Sequence, residues 1–138
     1  MPRLFESFIA EWLQKNLPFG YDLVKQYQAS LDSEGRFTFQ IDLVLRNSTT
    51  GRTLCVIDTK YKRSPEPEND DLNQINTYAI KMDTNYAFLV YPSTKIKPFD
   101  ITIGNVRIRN LVFDISENPE KAGLAFLDNL LNYINACA

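Results

Sequence analysis

The stretch that decides the fold is Leu54-Cys55-Val56-Ile57-Asp58-Thr59-Lys60-Tyr61-Lys62, in which four apolar residues run directly into an acid and a lysine. The length of this run, its β-branched residues and the flanking Gly51 and Pro65 predict a buried central strand rather than a helix. Because side chains alternate along a strand, Asp58 and Lys60 should point to the same face. Burying a carboxylate and an ammonium there is costly unless they are paired or bind an ion.

The length and composition of the chain predict one globular domain over residues 1–138. The formal net charge is −2, so contact with nucleic acid would need a local basic cluster or a partner. Two cysteines, Cys55 and Cys137, do not suggest a disulfide framework. With no signal peptide and no apolar run of membrane-spanning length, the sequence predicts a cytoplasmic protein without a membrane partner.

The chain contains no histidine. This excludes Ser-His-Asp and Cys-His catalysis, zinc sites with histidine ligands, and nucleases that use a histidine base. Carboxylates, lysines, hydroxyls and tyrosines remain as the groups that could carry chemistry.

The pattern of apolar residues predicts helices and strands in the order αβββαβ, followed by further strands and a last helix. Strands joined by tight turns should be antiparallel, and the strand after the crossover helix should run parallel to the central one. The predicted fold is therefore α/β, with a mixed central sheet flanked by helices. The predicted elements are helices at 3–16, from Asn69 or Asp70 to about Met82, and from Pro119, and strands at 21–31, 36–46, 54–62, 86–91, 101–103 and 106–115.

The strand at 36–46 alternates cleanly, with Phe37, Phe39, Ile41, Leu43 and Leu45 on one face and Asp42 on the other. If this strand pairs with the central one, Asp42 and Asp58 can lie side by side. Two carboxylates and the carbonyl of Thr59 would provide the hard oxygen ligands that suit Mg²⁺ or Mn²⁺. Lys60 would lie beside the metal, where it could orient or help deprotonate a water and offset charge on a phosphate. This set predicts metal-assisted hydrolysis of a phosphodiester.

The arrangement Asp42…Asp58-x-Lys60 resembles the PD-(D/E)XK nuclease superfamily, whose core has the same αβββαβ order. Further stretches resemble the nuclease domain of McrC-type subunits of modified-cytosine restriction systems. The similarity covers roughly residues 3 to 92. It rests on Leu4-Phe5-Glu6, Ile41-Asp42-Leu43-Val44-Leu45, Ile57-Asp58-Thr59-Lys60-Tyr61-Lys62 and Gln74-x-x-x-Tyr78-Ala79.

The resemblance implies that Asp42 and Asp58 are metal ligands and that Lys60 is the catalytic lysine. It also implies that Glu6 and Gln74 support the site and that Tyr78 shapes it behind Gln74.

Two features depart from the family pattern. Ile41 stands where a proline usually precedes the first acid. Members of this type also carry an N-terminal region that contacts a GTP-driven partner, whereas this chain begins almost at the first nuclease helix. The chain is therefore expected to be a stand-alone relative or to differ in function from the restriction subunit.

Beyond the motif, Lys62 and Arg63 are candidates for contact with DNA phosphates. No element suited to reading base edges in a groove is apparent, so sequence recognition should come from a homodimer or from a motor or recognition subunit.

The expected function is thus a Mg²⁺-dependent DNA endonuclease of a restriction or defence system. Two alternatives stay open: an exonuclease or structure-selective nuclease like the RecB-type enzymes, and a non-catalytic module for nucleic-acid binding or assembly on the same fold.

Overall fold

A computed structural model describes residues 2–30, 34, 38–60 and 67–135, without the side chains of residues 2, 3, 29 and 39. The order of helices and strands agrees with the order expected from the sequence. The elements are α1 (Pro2–Asn16), β1 (Tyr21–Ser30), β2 (Thr38–Asn47), β3 (Thr53–Thr59), α2 (Asn69–Lys81), β4 (Tyr86–Tyr91), β5 (Asp100–Ile103), β6 (Val106–Val112) and α3 (Pro119–Asn135).

The strands form one mixed sheet in the order β1-β2-β3-β4-β6-β5. β2 lies antiparallel to both of its neighbours, β1 and β3. β4 lies parallel to β3 after the crossover through α2, and β6 lies parallel to β4. This is the restriction-endonuclease-like architecture expected from the sequence. β3 lies inside the sheet, and the residues from Cys55 to Asp58 are buried.

Helices cover both faces of the sheet. One core layer lies under α1 and α3, and its members include Phe5, Leu13, Ile57 and Phe126. We call it the α1/α3 layer. The other lies under α2, includes Val56, Ile75 and Tyr78, and is called the α2 layer. α3 approaches α1 closely at Gly123, where an added Cβ would lie 2.2 Å from the indole of Trp12.

The start of α2 differs from the prediction, which placed the N-cap at Asn69 or Asp70. The N-cap is Glu68, and its N–H donates to Oδ2 of Asp71 at 3.4 Å. Because N-terminal amides of a helix need acceptors, this carboxylate satisfies one of them. Asp71 is consequently turned inward and is only 7% exposed.

α2 ends in a Schellman motif. The N–H of Thr84 donates to the carbonyl of Ala79 at 3.0 Å, and that of Asp83 donates to Ile80 at 3.1 Å. Asp83 takes the left-handed position of this motif, with φ +55°. The motif turns the chain from α2 into β4.

Two strands are shorter than predicted. β3 ends at Thr59, although the N–H of Lys60 still donates to the carbonyl of Val90 at 2.8 Å. β6 ends at Val112 rather than at residue 115. The connection between the strands predicted at 21–31 and 36–46, with the first residues of the second strand, lies largely outside the described residues. Within the described part of the chain, no helix is long and apolar enough to cross a membrane.

Candidate active site

The structure brings Asp42 and Asp58 together where the pairing of β2 and β3 ends. The ladder ends at the pair Leu43–Ile57, and Asp42 and Asp58 are the next residue of each strand beyond that pair. Their carboxyl groups lie within hydrogen-bonding reach of each other. Asp58 is buried and Asp42 is half-buried, so two carboxylates share a site of limited solvent access.

Thr59 orients the carboxylate of Asp42. Both the main-chain N–H and the hydroxyl of Thr59 donate to Oδ2 of Asp42, each at 3.0 Å. Two donors on one oxygen fix the carboxyl plane and favour its ionised form. The use of the Thr59 carbonyl as a metal ligand stays a prediction, and the contacts of this residue seen here are made by its amide and hydroxyl.

Lys60 lies between two carboxylates. Its Nζ is 2.7 Å from Oδ2 of Asp58 and 3.0 Å from Oδ1 of Asp71. Burial lowers the pKa of Lys60, but the charges and hydrogen bonds of the two acids outweigh it and raise that pKa above its ordinary value. An ammonium held in this way stays protonated. This favours the roles of orienting water and offsetting negative charge over the abstraction of a proton.

The two acids themselves resist ionisation. Burial, followed by the charge of Asp42 and a hydrogen bond with it, raises the pKa of Asp58 to about 7, although Lys60 opposes the change. Burial, followed by a hydrogen bond with Glu6, also raises the pKa of Asp42. A divalent cation would relieve this repulsion, because an opposite charge favours the ionised form of each acid.

The donor set fits Mg²⁺ or Mn²⁺. Such an ion needs only one or two carboxylates, since waters complete its coordination. Among the described residues, no three histidine, cysteine, aspartate or glutamate side chains form a group that could hold a metal. Asp42 and Asp58 are two neighbouring carboxylates that could hold a divalent cation together with water.

Glu6 approaches the site from α1. It is half-buried and lies within hydrogen-bonding reach of Asp42. Both residues line a cleft of about 380 Å³ between α1 and the β1–β2 hairpin. Nε2 of Gln26 donates to Oε2 of Glu6 at 2.9 Å. The resemblance implied that Glu6 supports the site, but the sequence did not single out Gln26.

Tyr78 and Gln74 lie on α2. Tyr78 is buried, and its pKa is raised by that burial and by the charges of Asp58 and Asp42. Gln74 is exposed and hydrogen-bonds to Tyr78. The tyrosine is thus the member of this pair that lies deeper in the site. Lys62 and Arg63 lie outside the described residues.

Asp71 was missed as a residue of the site. The sequence indicates only that it belongs to the first turn of a helix, which is correct but incomplete. The spacing of Glu68 and Asp71 is that of a capping box, in which the fourth residue turns back toward the helix start. This spacing could have indicated the direction of the carboxylate, but the contact with Lys60 depends on how α2 packs beside β3.

Comparison with known proteins gives a family and a fold. A family model described as "McrBC 5-methylcytosine restriction system component" matches residues 1–92. Among solved structures, the chain is similar to a chain in the refined half-complex from a tetradecameric assembly of Thermococcus gammatolerans McrB AAA+ hexamers with bound McrC. The TM-score is 0.75 and the sequence identity 23%, which shows the fold alone. The match covers 94% of this chain and 33% of that chain, so this chain spans about a third of its length. No curated protein matches.

Proposed function

Because the chain belongs to the McrBC family of 5-methylcytosine restriction system components, we propose that it is a metal-dependent DNA endonuclease of a restriction or defence system. One observation carries this proposal. The ammonium of Lys60 lies 2.7 Å from Asp58, and the carboxyl group of Asp58 lies within hydrogen-bonding reach of Asp42 at the end of the β2–β3 ladder. Two carboxylates that could hold a metal ion and a fixed positive charge therefore lie together, which is the combination that metal-assisted hydrolysis of a phosphodiester requires.

The proposal gives each residue a task. Asp42 and Asp58, with the carbonyl of Thr59, would hold Mg²⁺ or Mn²⁺. When bound, such an ion polarises the phosphate and lowers the pKa of water. Lys60 contributes a positive charge that orients the attacking water and offsets charge on the phosphate.

The surrounding residues support this centre. Glu6 steadies Asp42 from α1, and Tyr78 with Gln74 shapes the opposite wall from α2. Lys62 and Arg63 are proposed contacts for DNA phosphates. The proposal assigns residues 1–138 to one cytoplasmic nuclease domain.

We also propose that DNA recognition depends on a partner. The net charge of −2 is unfavourable for holding DNA by charge alone. The similar solved assembly contains McrB AAA+ hexamers with bound McrC. By this likeness, an AAA+ motor subunit is the proposed partner of this chain, and a second copy of the chain is the other candidate.

The test is cleavage of closed circular plasmid, with and without Mg²⁺, by the wild type and by Asp58→Ala and Lys60→Ala. We expect Mg²⁺-dependent nicking by the wild type and a loss of at least 100-fold in both variants, since each removes a charge at the reacting centre. Asp70→Ala is the matched control, because Asp70 is an exposed acid in the first turn of α2. Full activity of Asp58→Ala would place the catalytic centre elsewhere.

Further assays distinguish the endonuclease from an exonuclease and from a non-catalytic module. Digestion of linear DNA with sparing of closed circles would favour an exonuclease of the RecB type. The same assays are run with an added AAA+ partner, because cleavage could depend on the assembly. A non-catalytic module would be favoured if calorimetry shows no Mn²⁺ binding at millimolar metal and if no cleavage occurs with or without the AAA+ partner.

A further inference from the structure

Gln26 has an unusual backbone conformation for a residue in the middle of a strand. Its φ is +50°, and among the described residues it shares a positive φ with only one other non-glycine residue, Asp83. Asp83 occupies the left-handed position of a helix-ending motif, where such a value is ordinary. Gln26 lies inside β1, and the left-handed conformation is strained for a side chain with a Cβ.

The strain coincides with a break in the β1–β2 hairpin. The ladder pairs Val24 with Val44 and Tyr27 with Ile41. All four pack in the α2 layer, although the members on each strand are three residues apart rather than an even number. Regular alternation would put them on opposite faces. Between these two pairs, both strands therefore rotate about their own axes, so the alternation of side chains between the two faces of the sheet is interrupted there.

This turn also corrects the sequence prediction that put Ile41 on the same face as Leu43 and Leu45. Leu43 and Leu45 pack in the α1/α3 layer, but Ile41 packs in the α2 layer. The position across from Gln26 at the turn is Asp42, and no ladder pair is formed between the two. The hairpin thus changes faces at the residue that carries the first acid of the site.

The consequence for the site is a chain of polar contacts. Nε2 of Gln26 donates to Oε2 of Glu6 at 2.9 Å, and Glu6 lies within hydrogen-bonding reach of Asp42. All three residues line the same cleft. Glu6 is on a helix and Asp42 on a strand, so Gln26 ties the helix to the hairpin at the site.

We propose that Gln26 is a positioning residue, whose left-handed backbone directs its amide to Glu6 and so holds Glu6 against Asp42. Strained backbone persists where the surrounding structure enforces it, and such places concentrate at functional sites. This inference rests on the proposed function, because it takes Asp42 to be a metal ligand. Gln26 itself touches neither substrate nor metal in this scheme.

The test is Gln26→Gly, which removes the amide and accommodates the left-handed backbone. We expect a melting temperature at or above that of the wild type, with a dissociation constant for Mn²⁺ raised about 10-fold, as is typical when a group that orients a ligand is lost. Mn²⁺ alone, titrated by calorimetry, is the probe. Plasmid nicking should fall by a similar factor.

Asp83→Gly is the matched control. It places glycine at the other non-glycine position with positive φ among the described residues, at the far end of α2, and we expect a melting temperature at or above that of the wild type while Mn²⁺ affinity and nicking stay at the wild-type level. A structural role for Gln26 alone would change melting without a selective change in Mn²⁺ affinity.

A double-mutant cycle identifies the route through Glu6. Glu6→Ala alone should weaken Mn²⁺ binding, and Gln26→Gly in the Glu6→Ala background should weaken it no further, because contacting residues act non-additively. Additive losses would overturn the inference that Gln26 acts through Glu6.

The outcomes separate this inference from the proposed function. A wild type that binds no Mn²⁺ and cleaves no DNA, with or without an AAA+ partner, contradicts the proposed function. A wild type that binds Mn²⁺ and cleaves, with Gln26→Gly equal to it in both, overturns only the role of Gln26.

Discussion

The buried carboxylate of Asp58 should make the protein without metal less stable as the pH rises. Its pKa is about 7 in the folded chain, above the ordinary value of 3.8, because of burial and the neighbouring Asp42. Between these two values the folded state binds more protons than the unfolded state, so the free energy of unfolding falls as the pH increases. Asp58→Asn removes this titration while keeping the shape of the side chain.

The magnitude follows from the pKa. Each tenfold change in proton affinity corresponds to about 1.4 kcal/mol, so a rise from 3.8 to about 7 amounts to about 4 kcal/mol of stability lost between pH 4 and pH 8. Near pH 4, Asp58 is protonated in the folded state and resembles asparagine, so wild type and variant should be similar. By pH 8 the variant should be more stable by about this amount. Lys60 keeps Asp71 as a partner in the variant.

The assay is urea unfolding of both proteins in EDTA at several pH values from 4 to 8. The free energies of unfolding should diverge as the pH rises. Repeating the pH 8 measurement with Mg²⁺ should stabilise the wild type and leave Asp58→Asn unchanged, because a ligand stabilises only the state that binds it. Parallel pH curves for the two proteins would refute the reasoning, since Asp58 would then be no more difficult to ionise in the fold than in the unfolded chain.

Three further substitutions test separate contacts. Asp71→Asn removes one of the two carboxylates that hold Lys60, and we expect plasmid nicking to fall about 10-fold; Asp70→Asn should leave it unchanged, and equal rates for the two would contradict a role for Asp71. Thr59→Val removes one hydroxyl donor to the first acid of the site, which should cost about 1 kcal/mol in urea unfolding; an unchanged stability would mean that this hydrogen bond contributes little. Gly123→Ala places a methyl group against the indole ring of Trp12 on α1, which should lower the free energy of unfolding by about 1–3 kcal/mol; an unchanged unfolding midpoint would show that α1 and α3 separate easily.

Most of the architecture could be predicted from local patterns. The apolar run from Leu54 to Ile57 has no polar face, so it had to lie inside the sheet, and its antiparallel pairing with β2 follows from the short turn between them. That pairing brings Asp42 and Asp58 to the same end of the ladder, so the sequence predicts that the two acids come close. Their register does not follow from strand periodicity alone, because it shifts between Leu45 and Arg46.

The contacts made by Asp71 depend on tertiary packing, which local patterns do not specify. Helix spacing shows which face of α2 is apolar, but the distance between Asp71 and Lys60 also depends on where the helix starts. The prediction of Asn69 or Asp70 as the cap was wrong by one or two residues. With the cap at Glu68, Asp71 is the third residue of the helix, whose side chain turns back toward the N-cap. A cap at Asn69 or Asp70 would make Asp71 the second or first residue, which does not make that contact.

The role of Gln26 could not be predicted from the sequence for a different reason. Left-handed positions are usually predicted from glycine, asparagine or aspartate, because these residues tolerate positive φ best. A glutamine in a strand carries no such signal, and the even alternation of β2 around Asp42 predicted an undistorted ladder. Glycine or asparagine would adopt this backbone conformation with less strain, so the change of face alone does not explain why the residue is a glutamine. The hydrogen bond from this amide to Glu6 at 2.9 Å supplies a reason for glutamine that backbone geometry does not, and such a reason becomes visible only when the helix and the hairpin are seen side by side.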